Sequence, residues 1–301
     1  MKRPSPGLGA PRFPGLSPRF FGVTRALAVT VAVGAVLSGC TADGKSAAAR
    51  AKFQAEELVH VIDGDVDGLR RGLPLGAADL GNALYVTGKT EPVEAADVRK
   101  GLRRIRVVIP ALRESQSNFM TLATLDGVGI RSDLEEDRMA GRKLFDIFKN
   151  LEGTKAEAFS AAVGTFDTPG GPMVDDDFAA MVPVVHGGEV RSFLIAGWSF
   201  RSFARHLQNE AERLMTEKRK DHRETDKAPV LYVAIADDRG TFGGPTTPKV
   251  NLAALQALAP TTLPSGSSGT LEIEGRSFGW SVAKAPALGE RVAVVVLRSD
   301  L

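Results

Sequence analysis

Two short stretches of the chain share one pattern and restrict its fold more than any other feature. Residues 121–131, "TLATLDGVGIR", and residues 232–242, "YVAIADDRGTF", each read as a strand, an acidic turn with glycine and a second extended piece. An Asp-Gly turn between apolar strands is a strong signal for a β-hairpin. Residues 186–199, "HGGEVRSFLIAGWS", and 272–285, "EIEGRSFGWSVAKA", form a second similar pair. The sequence therefore predicts two related antiparallel sheets in one chain.

Apolar spacing predicts three helices around these strands. The first follows Leu58, Ile62, Val66 and Leu69 and ends at Pro74. The second has an apolar stripe that Pro110 kinks or ends, and the third covers about residues 200–223. Residues 134–148 also show mostly helical spacing, whereas 158–166 read as extended and 167–177 as a loop. The stripe of the second helix consists of Val98, Leu102, Ile105, Ile109 and Leu112.

The second helix also carries a basic face, which suggests binding of lipid or nucleic acid. A solvated helix face is the favoured interpretation, because the overall charge gives no support for a nucleic-acid partner. Five of the 38 basic residues precede Cys40 and none of the 36 acidic residues does, so the part from Cys40 onward has a net charge of −3. The basic face consists of Arg99, Lys100, Arg103, Arg104, Arg106 and Arg113.

The amino-terminal segment has the pattern of an export signal. Lys2, Arg3, Arg12, Arg19 and Arg25 come first, and residues 26–36 form an uncharged apolar run that is too short to span a membrane. Small residues then lead to the only cysteine of the chain. A single thiol forms neither an intrachain disulfide nor a cysteine-based zinc cluster.

The last four of these residues, "LSGC" at 37–40, resemble the lipobox of bacterial lipoproteins. The resemblance implies that the sulfur of Cys40 receives a diacylglyceryl group, that the signal is cut before Cys40 and that the new amino terminus is acylated. Several acyl chains hold a protein firmly on a membrane. In enteric bacteria an Asp after the lipidated cysteine favours the inner membrane, and Thr41 stands there, so the outer membrane is somewhat favoured. The expected partner is thus a membrane, reached through the lipid anchor, with the folded part in the cell envelope outside the cytoplasm.

Residues 102–133, "LRRIRVVIPALRESQSNFMTLATLDGVGIRSD", and 181–203, "MVPVVHGGEVRSFLIAGWSFRSF", resemble extracytoplasmic Cache sensor domains. Residues 232–297 resemble the smaller half of a double Cache domain. The resemblance covers about residues 50–300 and implies an α+β fold, with two PAS-like antiparallel sheets stacked along a long N-terminal helix.

The expected organisation follows from both resemblances. A signal peptide covers residues 1–39, a tether 40–50, an N-terminal helical segment 51–116, a membrane-distal PAS-like domain 117–225 and a smaller one 228–301. Cache domains typically belong to receptors with a transmembrane helix and a cytoplasmic signalling module. No apolar run of membrane-spanning length follows the leader, so we expect any sensing to act through a partner protein.

The resemblance also implies a small ligand held between sheet and lid. Amino-acid-binding members carry an Arg, Trp and Tyr cluster in the lid, whereas "RMAGRKLFDIF" at 138–148 has no Trp or Tyr. The candidate polar contacts are Arg138, Arg142 and Asp167, and the candidate apolar wall consists of Phe148, Phe166 and Trp198. Core packing is nevertheless the favoured interpretation for each aromatic residue, and a salt bridge with Glu135 or Asp146 is the favoured one for Arg138.

No catalytic motif accompanies these residues, and no cofactor is predicted. His60, His186, His206 and His222 lie far apart, and "SGSSG" at 265–269 lacks the order of a nucleophile elbow. The acidic run at 175–177 could hold a hard cation, but a solvated turn is favoured because the acids lack the spacing of a calcium loop.

The leading hypothesis is a lipid-anchored envelope protein that binds a small ligand and signals through a partner. The alternative is a structural or assembly lipoprotein whose PAS-like units serve as interaction surfaces without a ligand. A hydrolase with an unrecognised site is a weaker third possibility.

Overall fold

The computed structural model of the protein describes residues 41–85, 93–166, 175–222 and 229–300. Side chains are described in all of these except residues 41–43 and 218–222. Cys40, the predicted site of lipidation, and Asp167, a predicted ligand contact, lie outside the described residues.

A helix of 44 residues, α1 (Thr41–Leu84), lies against both sheets. Its buried side chains recur every three or four positions, so one apolar stripe faces the sheets along its length. The predicted end at Pro74 is wrong, because the stripe continues past the proline and its burial maintains the helix. The buried residues of the stripe are Ala51, Ala55, Leu58, Ile62, Val66, Leu69, Leu73, Ala77 and Leu80.

Residues 41–50 of the predicted tether belong to the first turns of α1. Ala47 is 2% exposed and packs on the second sheet at Gly279. A Cβ atom on Gly279 would lie 2.1 Å from the backbone nitrogen of Ala48, so only glycine allows this approach. The small residues that suggested a loose tether are in fact what permits close packing of helix on sheet.

Two shorter helices follow, α2 (Ala95–Val108) and α3 (Pro110–Glu114). The break between them at Ile109 confirms the effect predicted for Pro110. The predicted apolar stripe of α2 and α3 is buried against α1.

The first sheet contains β1 (Phe119–Ala123), β2 (Gly129–Ser132), β3 (Ser160–Phe166), β4 (Asp175–His186) and β5 (Glu189–Ser199). Its order is β2-β1-β5-β4-β3, and every neighbouring pair is antiparallel. Both predicted hairpins are present. Gly187 and Gly188, with φ of 63° and 83°, form the two-residue turn between β4 and β5, a conformation that favours glycine.

The lid segment, residues 133–159, connects β2 to β3. It contains only two single-turn helices, α4 (Leu144–Ile147) and α5 (Lys149–Glu152), instead of the longer helix that the apolar spacing predicted. Asp137 stops a helix from starting earlier, because its carboxylate accepts hydrogen bonds from the backbone amides of Ser132, Met139 and Ala140. Gly141, at φ 74°, then turns the chain back toward β2.

A 23-residue helix, α6 (Phe200–His222), confirms the third predicted helix and leads toward the second sheet. That sheet contains β6 (Val230–Ala236), β7 (Thr241–Gly243), β8 (Ser268–Ile273), β9 (Arg276–Lys284) and β10 (Ala293–Ser299) in the order β7-β6-β10-β9-β8. Helix α7 (Lys249–Ala257) and a 3-10 helix (Pro260–Thr262) connect β7 to β8.

The two sheets have the same strand order, which confirms the prediction of a unit used twice. The hairpins β1–β2 and β6–β7 are equivalent, as predicted. The second predicted pair is wrong, because the β4–β5 hairpin occupies the position of β9–β10, whereas residues 272–285 form the β8–β9 hairpin. Glycine turns of similar sequence occur in both places, so local sequence alone could not separate them.

The described residues form three apolar clusters. One lies between α1 and the sheets and includes parts of α2, α3 and α6. Another lies between the first sheet and the lid segment, and the third lies on the α7 face of the second sheet. No helix among the described residues is long and apolar enough to cross a membrane.

Candidate functional site

The lid face of the first sheet, which is the surface that α4 and α5 cover, can be traced along β4 by alternation. Ala179 and Met181 pack under the lid segment, whereas Phe178 and Ala180 face α1. The same alternation places Asp177 on the lid face and Asp176 on the opposite face.

Asp177 lies deep beneath the lid segment and is 5% exposed. It is paired across the sheet with Gly164 of β3. A Cβ atom on Gly164 would be 2.5 Å from the carbonyl oxygen of Ile147 and 2.7 Å from Cδ1 of Phe148. The backbone of the lid segment therefore passes directly over this point of the sheet.

The carboxylate of Asp177 is only partly hydrogen-bonded by the described residues. Its Oδ1 atom is buried and has no hydrogen-bond partner among the described residues. Burial, followed by the negative charges of Asp175 and Asp176, raises the pKa of Asp177 well above its usual value, and the positive charge of Arg138 opposes this shift. A buried acid without a partner favours either a bound proton or a bound cationic group.

Asp175 adds a second acid at the edge of the same face. Burial raises its pKa, and the nearby Arg201 and Ser199 oppose that effect. Nε of Arg201 is 3.9 Å from Oδ2 of Asp175, which is too far for a hydrogen bond. The Oδ1 atom of Asp175 also has no partner among the described residues.

The two predicted arginines lie in the lid segment near these acids. Arg138 is mostly exposed, with its Nη2 3.6 Å from a carboxylate oxygen of Glu136. A salt bridge is therefore present, but with a different acid from the two proposed for it, Glu135 and Asp146. The guanidinium of Arg142 lies 4.8 Å from the ring centroid of Phe166, within the range of a cation–π contact.

The structure brings together four of the predicted ligand residues and separates a fifth. Phe148 and Phe166 are buried in the lid-face cluster, next to the segment that carries Arg138 and Arg142. Trp198 lies on the other face of the sheet, where its ring stacks on Phe203 with a centroid distance of 4.6 Å. Residue alternation along β5 explains the difference, because Phe193 and Ile195 face the lid and Trp198 does not.

The acids at 175–177 were the residues missed by the sequence analysis. Their interpretation as a solvated turn is wrong, because they form the first residues of β4 and Asp176 and Asp177 are buried. The sequence signal for their burial was the position of the acids directly before an unbroken apolar strand. Side chains at 175 and 177 share the register of Ala179 and Met181, so they had to face the same way.

Apolar side chains occupy the rest of the lid face. Phe145 meets Phe193 edge to face with ring centroids 5.7 Å apart, and Phe119, Phe148 and Met181 belong to the same cluster. This surface combines a large apolar wall with a few buried polar groups, which is the composition of small-ligand sites.

The arrangement supports binding of a cationic group better than it supports catalysis. Because Asp176 faces away from Asp175 and Asp177, the three acids do not converge on one point. Among the described residues, no group of three or more His, Cys, Asp and Glu side chains is placed to hold a metal ion.

Comparisons with known proteins found similar folds among solved structures. No family model matches the chain, and no curated protein matches it. The extracellular domain of vpHK1S-Z8, a protein described as a histidine kinase, matches 85% of this chain and 92% of its own length with 9% identity and a TM-score of 0.57. A domain described as part of a sensory box/GGDEF family protein from Vibrio parahaemolyticus matches 86% and 97%, with 10% identity and a TM-score of 0.53.

A third similar structure is the ligand-binding domain of the Campylobacter jejuni chemoreceptor Tlp3 in complex with L-norvaline. It matches 86% of this chain and 93% of its own length, with 12% identity and a TM-score of 0.49. At these identities the likeness concerns the fold alone. The predicted fold class is confirmed: the chain has a Cache-like α+β fold with two antiparallel five-stranded sheets and a long N-terminal helix.

Proposed function

We propose that this protein is a lipid-anchored sensor of the cell envelope, which binds a small ligand with a cationic group beneath the lid segment and reports the bound state to a partner protein. The observation that carries this proposal is Asp177, a buried carboxyl group on the lid face with an unpartnered oxygen. The fold supports it, since the two structures with the higher TM-scores are domains of proteins described as a histidine kinase and as a sensory box/GGDEF protein.

The expected ligand follows from the charges around Asp177. A protonated amine would supply the hydrogen bonds that Asp177 and Asp175 lack among the described residues. Arg138 and Arg142 lie on the lid side and would suit a carboxylate on the same ligand, while Phe148 and Phe166 would contact its apolar part. Asp167 remains a candidate contact.

Binding would act by changing the population of lid arrangements. The lid segment contains two single-turn helices and a loop, so it has less internal hydrogen bonding than the sheet beneath it. A ligand that contacts both Asp177 and the lid would favour the closed arrangement, and a partner would recognise that arrangement.

Location outside the cytoplasm is proposed from the sequence. The basic and apolar leader and the "LSGC" motif support cleavage before Cys40 and acylation of its sulfur. With Thr41 after the cysteine, the outer membrane is the favoured destination.

A ligand screen tests the binding proposal. We expect primary amines and zwitterionic amino compounds to raise the melting temperature of the purified protein, and neutral analogues of equal size to leave it unchanged. In Asp177→Asn the ligand-induced rise should vanish, whereas the control Asp146→Asn, at an exposed position of α4, should keep it. Affinity should increase as pH rises through the elevated pKa of Asp177, because the cation binds the ionised form.

A structural or assembly role is the second candidate, and the packing of the lid face favours it. Phe145, Phe148 and Phe193 are each at most 4% exposed and fill this face much as a core would. If no amine or zwitterion shifts the melting temperature, this second role replaces ligand sensing.

The anchor has a separate test. Mass spectrometry of the mature protein should find an acylated Cys40 as the first residue, and Cys40→Ser should release the protein from the membrane fraction. Recovery of the wild-type protein with an intact leader and a free thiol would contradict the anchor without affecting the ligand site.

A further inference from the structure

A polar cavity lies beside α2, next to the first residues of the lid segment. The α2 basic groove, as we call it, is an open cavity of about 510 Å³ between α2 and β2. Four cationic side chains line it, together with two small residues from the first turn of α2. The lining residues are Ala95, Ala96, Arg99, Lys100, Arg103 and Arg131.

Two of the arginines are held by the last residue of β2 and the residue after it. Nε of Arg99 donates to the carbonyl oxygen of Ser132 at 3.3 Å, and Nε of Arg103 donates to that of Asp133 at 3.0 Å. Both guanidinium groups are thus held through Nε, and Nη2 of Arg103 also donates to Glu135, whereas the terminal nitrogens of Arg99 lie 3.7 Å or more from the carboxylates of Asp137 and Glu135. Such fixed forks bind an oxyanion with little loss of side-chain entropy.

The nearby acids do not neutralise the groove. Asp137 is satisfied by three backbone amides, and its Oδ2 is 3.7 Å from Nη2 of Arg99 and 3.5 Å from Nη1 of Arg131, at or beyond the limit of a hydrogen bond. Glu135 pairs with Arg103 at 2.6 Å, but its side chain is 81% exposed, so solvent weakens this ion pair. Four cations against two carboxylates leave an excess of two positive charges.

Lys100 differs from the three lining arginines in its lack of an acidic partner among the described residues. It is exposed, and no carboxylate among the described residues pairs with it. Its position one residue after Arg99 on α2 puts it at the wall of the same cavity.

From this geometry we propose that the α2 basic groove binds a phosphate group, either on a soluble phosphate ester or on an anionic lipid headgroup. Planar guanidinium forks match the oxygens of phosphate, and a doubly charged phosphate monoester balances the excess of positive charge. The volume admits the phosphate together with a small organic substituent. The residues that line this site differ from those of the lid-face site.

Titration of the purified protein with inorganic phosphate at constant ionic strength tests the proposal. We expect saturable binding that Lys100→Gln weakens about tenfold, since one charge-assisted contact is lost. Lys100 makes no contact that the fold needs among the described residues, so this variant should remain folded. Arg113→Gln is the matched control, because it removes an exposed positive charge from α3 outside the groove and should leave the affinity unchanged.

Vesicles distinguish the two sources of phosphate. Retention on phosphatidylglycerol vesicles but not on phosphatidylcholine vesicles, lost in Lys100→Gln, would assign a lipid headgroup, whereas phosphate binding without retention would assign a soluble ester. The proposal is overturned if neither phosphate nor anionic vesicles bind, or if Arg113→Gln reduces binding as much as Lys100→Gln does. Asp177→Asn should bind phosphate normally, which separates this result from the proposed sensing function.

Discussion

Asp177 keeps a carboxyl group where water does not reach it and where no described group hydrogen-bonds its Oδ1 atom. In the folded protein its pKa is raised by burial and by neighbouring acids, so the folded state binds a proton more tightly than the unfolded state. The stability of the protein should therefore fall as pH rises from the usual pKa of an aspartate toward the raised value. Binding of a cationic group to Asp177 would offset this loss of stability.

The first prediction concerns this residue. Asp177→Asn should raise the free energy of unfolding by about 1–3 kcal/mol at pH 7.5, because the neutral amide costs less to bury than an unpaired charge. The gain should shrink at pH 5, where the wild-type side chain is more often protonated. Urea unfolding at both pH values measures the difference, and Asp146→Asn should show no such dependence. A loss of stability at pH 7.5 would contradict the cost assigned to Asp177.

At the same scale, sequence reasoning found the lid-face arginines and two of the aromatic residues but not the acids. Phe148 and Phe166 could be predicted because a Cache-like lid must cover the sheet with apolar side chains. Asp177 was missed, because an acidic run usually marks a solvated turn. Its register with Ala179 and Met181 was the available signal, and pairing of β4 with β3 and β5 places it inside the sheet.

Helix α1 shows how packing overrides local propensity. Pro74 cannot donate the backbone hydrogen bond of its position, which costs about 3 kcal/mol. The turns beyond it bury Ala77 and Leu80, and burial of one leucine contributes about 1.5–3 kcal/mol. The helix therefore continues, because ending it at Pro74 would expose this part of the stripe.

The second prediction is that Pro74→Ala stabilises the protein. Pro74 is exposed, so alanine restores a backbone donor and leaves the buried stripe intact. We expect a gain of about 2 kcal/mol in the free energy of unfolding, measured with urea. Leu75→Ala in the same turn, at a side chain that is 60% exposed, is the control and should change little. A destabilised Pro74→Ala protein would mean that the proline supplies a contact that the helix needs.

Other elements were predictable to different degrees. The hairpins β1–β2 and β4–β5 followed from their glycine turns, and α6 from its length and amphipathic pattern. The lid segment was predicted as a longer helix, but Asp137 binds three backbone amides and so stops the helix that the spacing suggested. Side chains that compete for backbone donors are poorly reflected in apolar spacing.

For the molecule as a whole, a charge cluster joins the two sheets. Nε of Arg239, in the β6–β7 turn, is 3.0 Å from Asp176 of β4, and its Nη1 donates to Thr165 of β3 at 2.7 Å. Its Nη2 is 2.8 Å from Asp237. Burial is the main cause that raises the pKa of Asp176 to about 6, with Asp237 adding to the rise and Thr165 and Arg239 opposing it.

The third prediction is that Arg239→Gln weakens the connection between the sheets. Asp176 and Asp237 would lose their shared cation, and we expect a loss of about 2 kcal/mol in the free energy of unfolding, less than for a fully buried pair because the Arg239 side chain is 41% exposed. Without the guanidinium the pKa of Asp176 should rise further, so the loss should be larger at pH 7.5 than at pH 5.

Arg291→Gln is the matched control for this prediction. It breaks an ion pair with Asp238 of the same turn, but both side chains are exposed, so it should cost less than about 1 kcal/mol at either pH. Equal losses in the two variants would show that the Arg239 cluster does not join the sheets more strongly than a surface ion pair.

The length of α1 has a consequence for any partner. Gly44 lies against Thr270 and Ser277 of the second sheet, and Gly81, near the other end, lies against Val185 of the first. At 1.5 Å per residue these two contacts are roughly 55 Å apart along the helix. With Cys40 acylated, α1 would begin next to the bilayer, and its length would allow the lid face to lie far from the lipid headgroups. A partner protein that recognises the state of the lid would then need to extend to the same distance from the membrane.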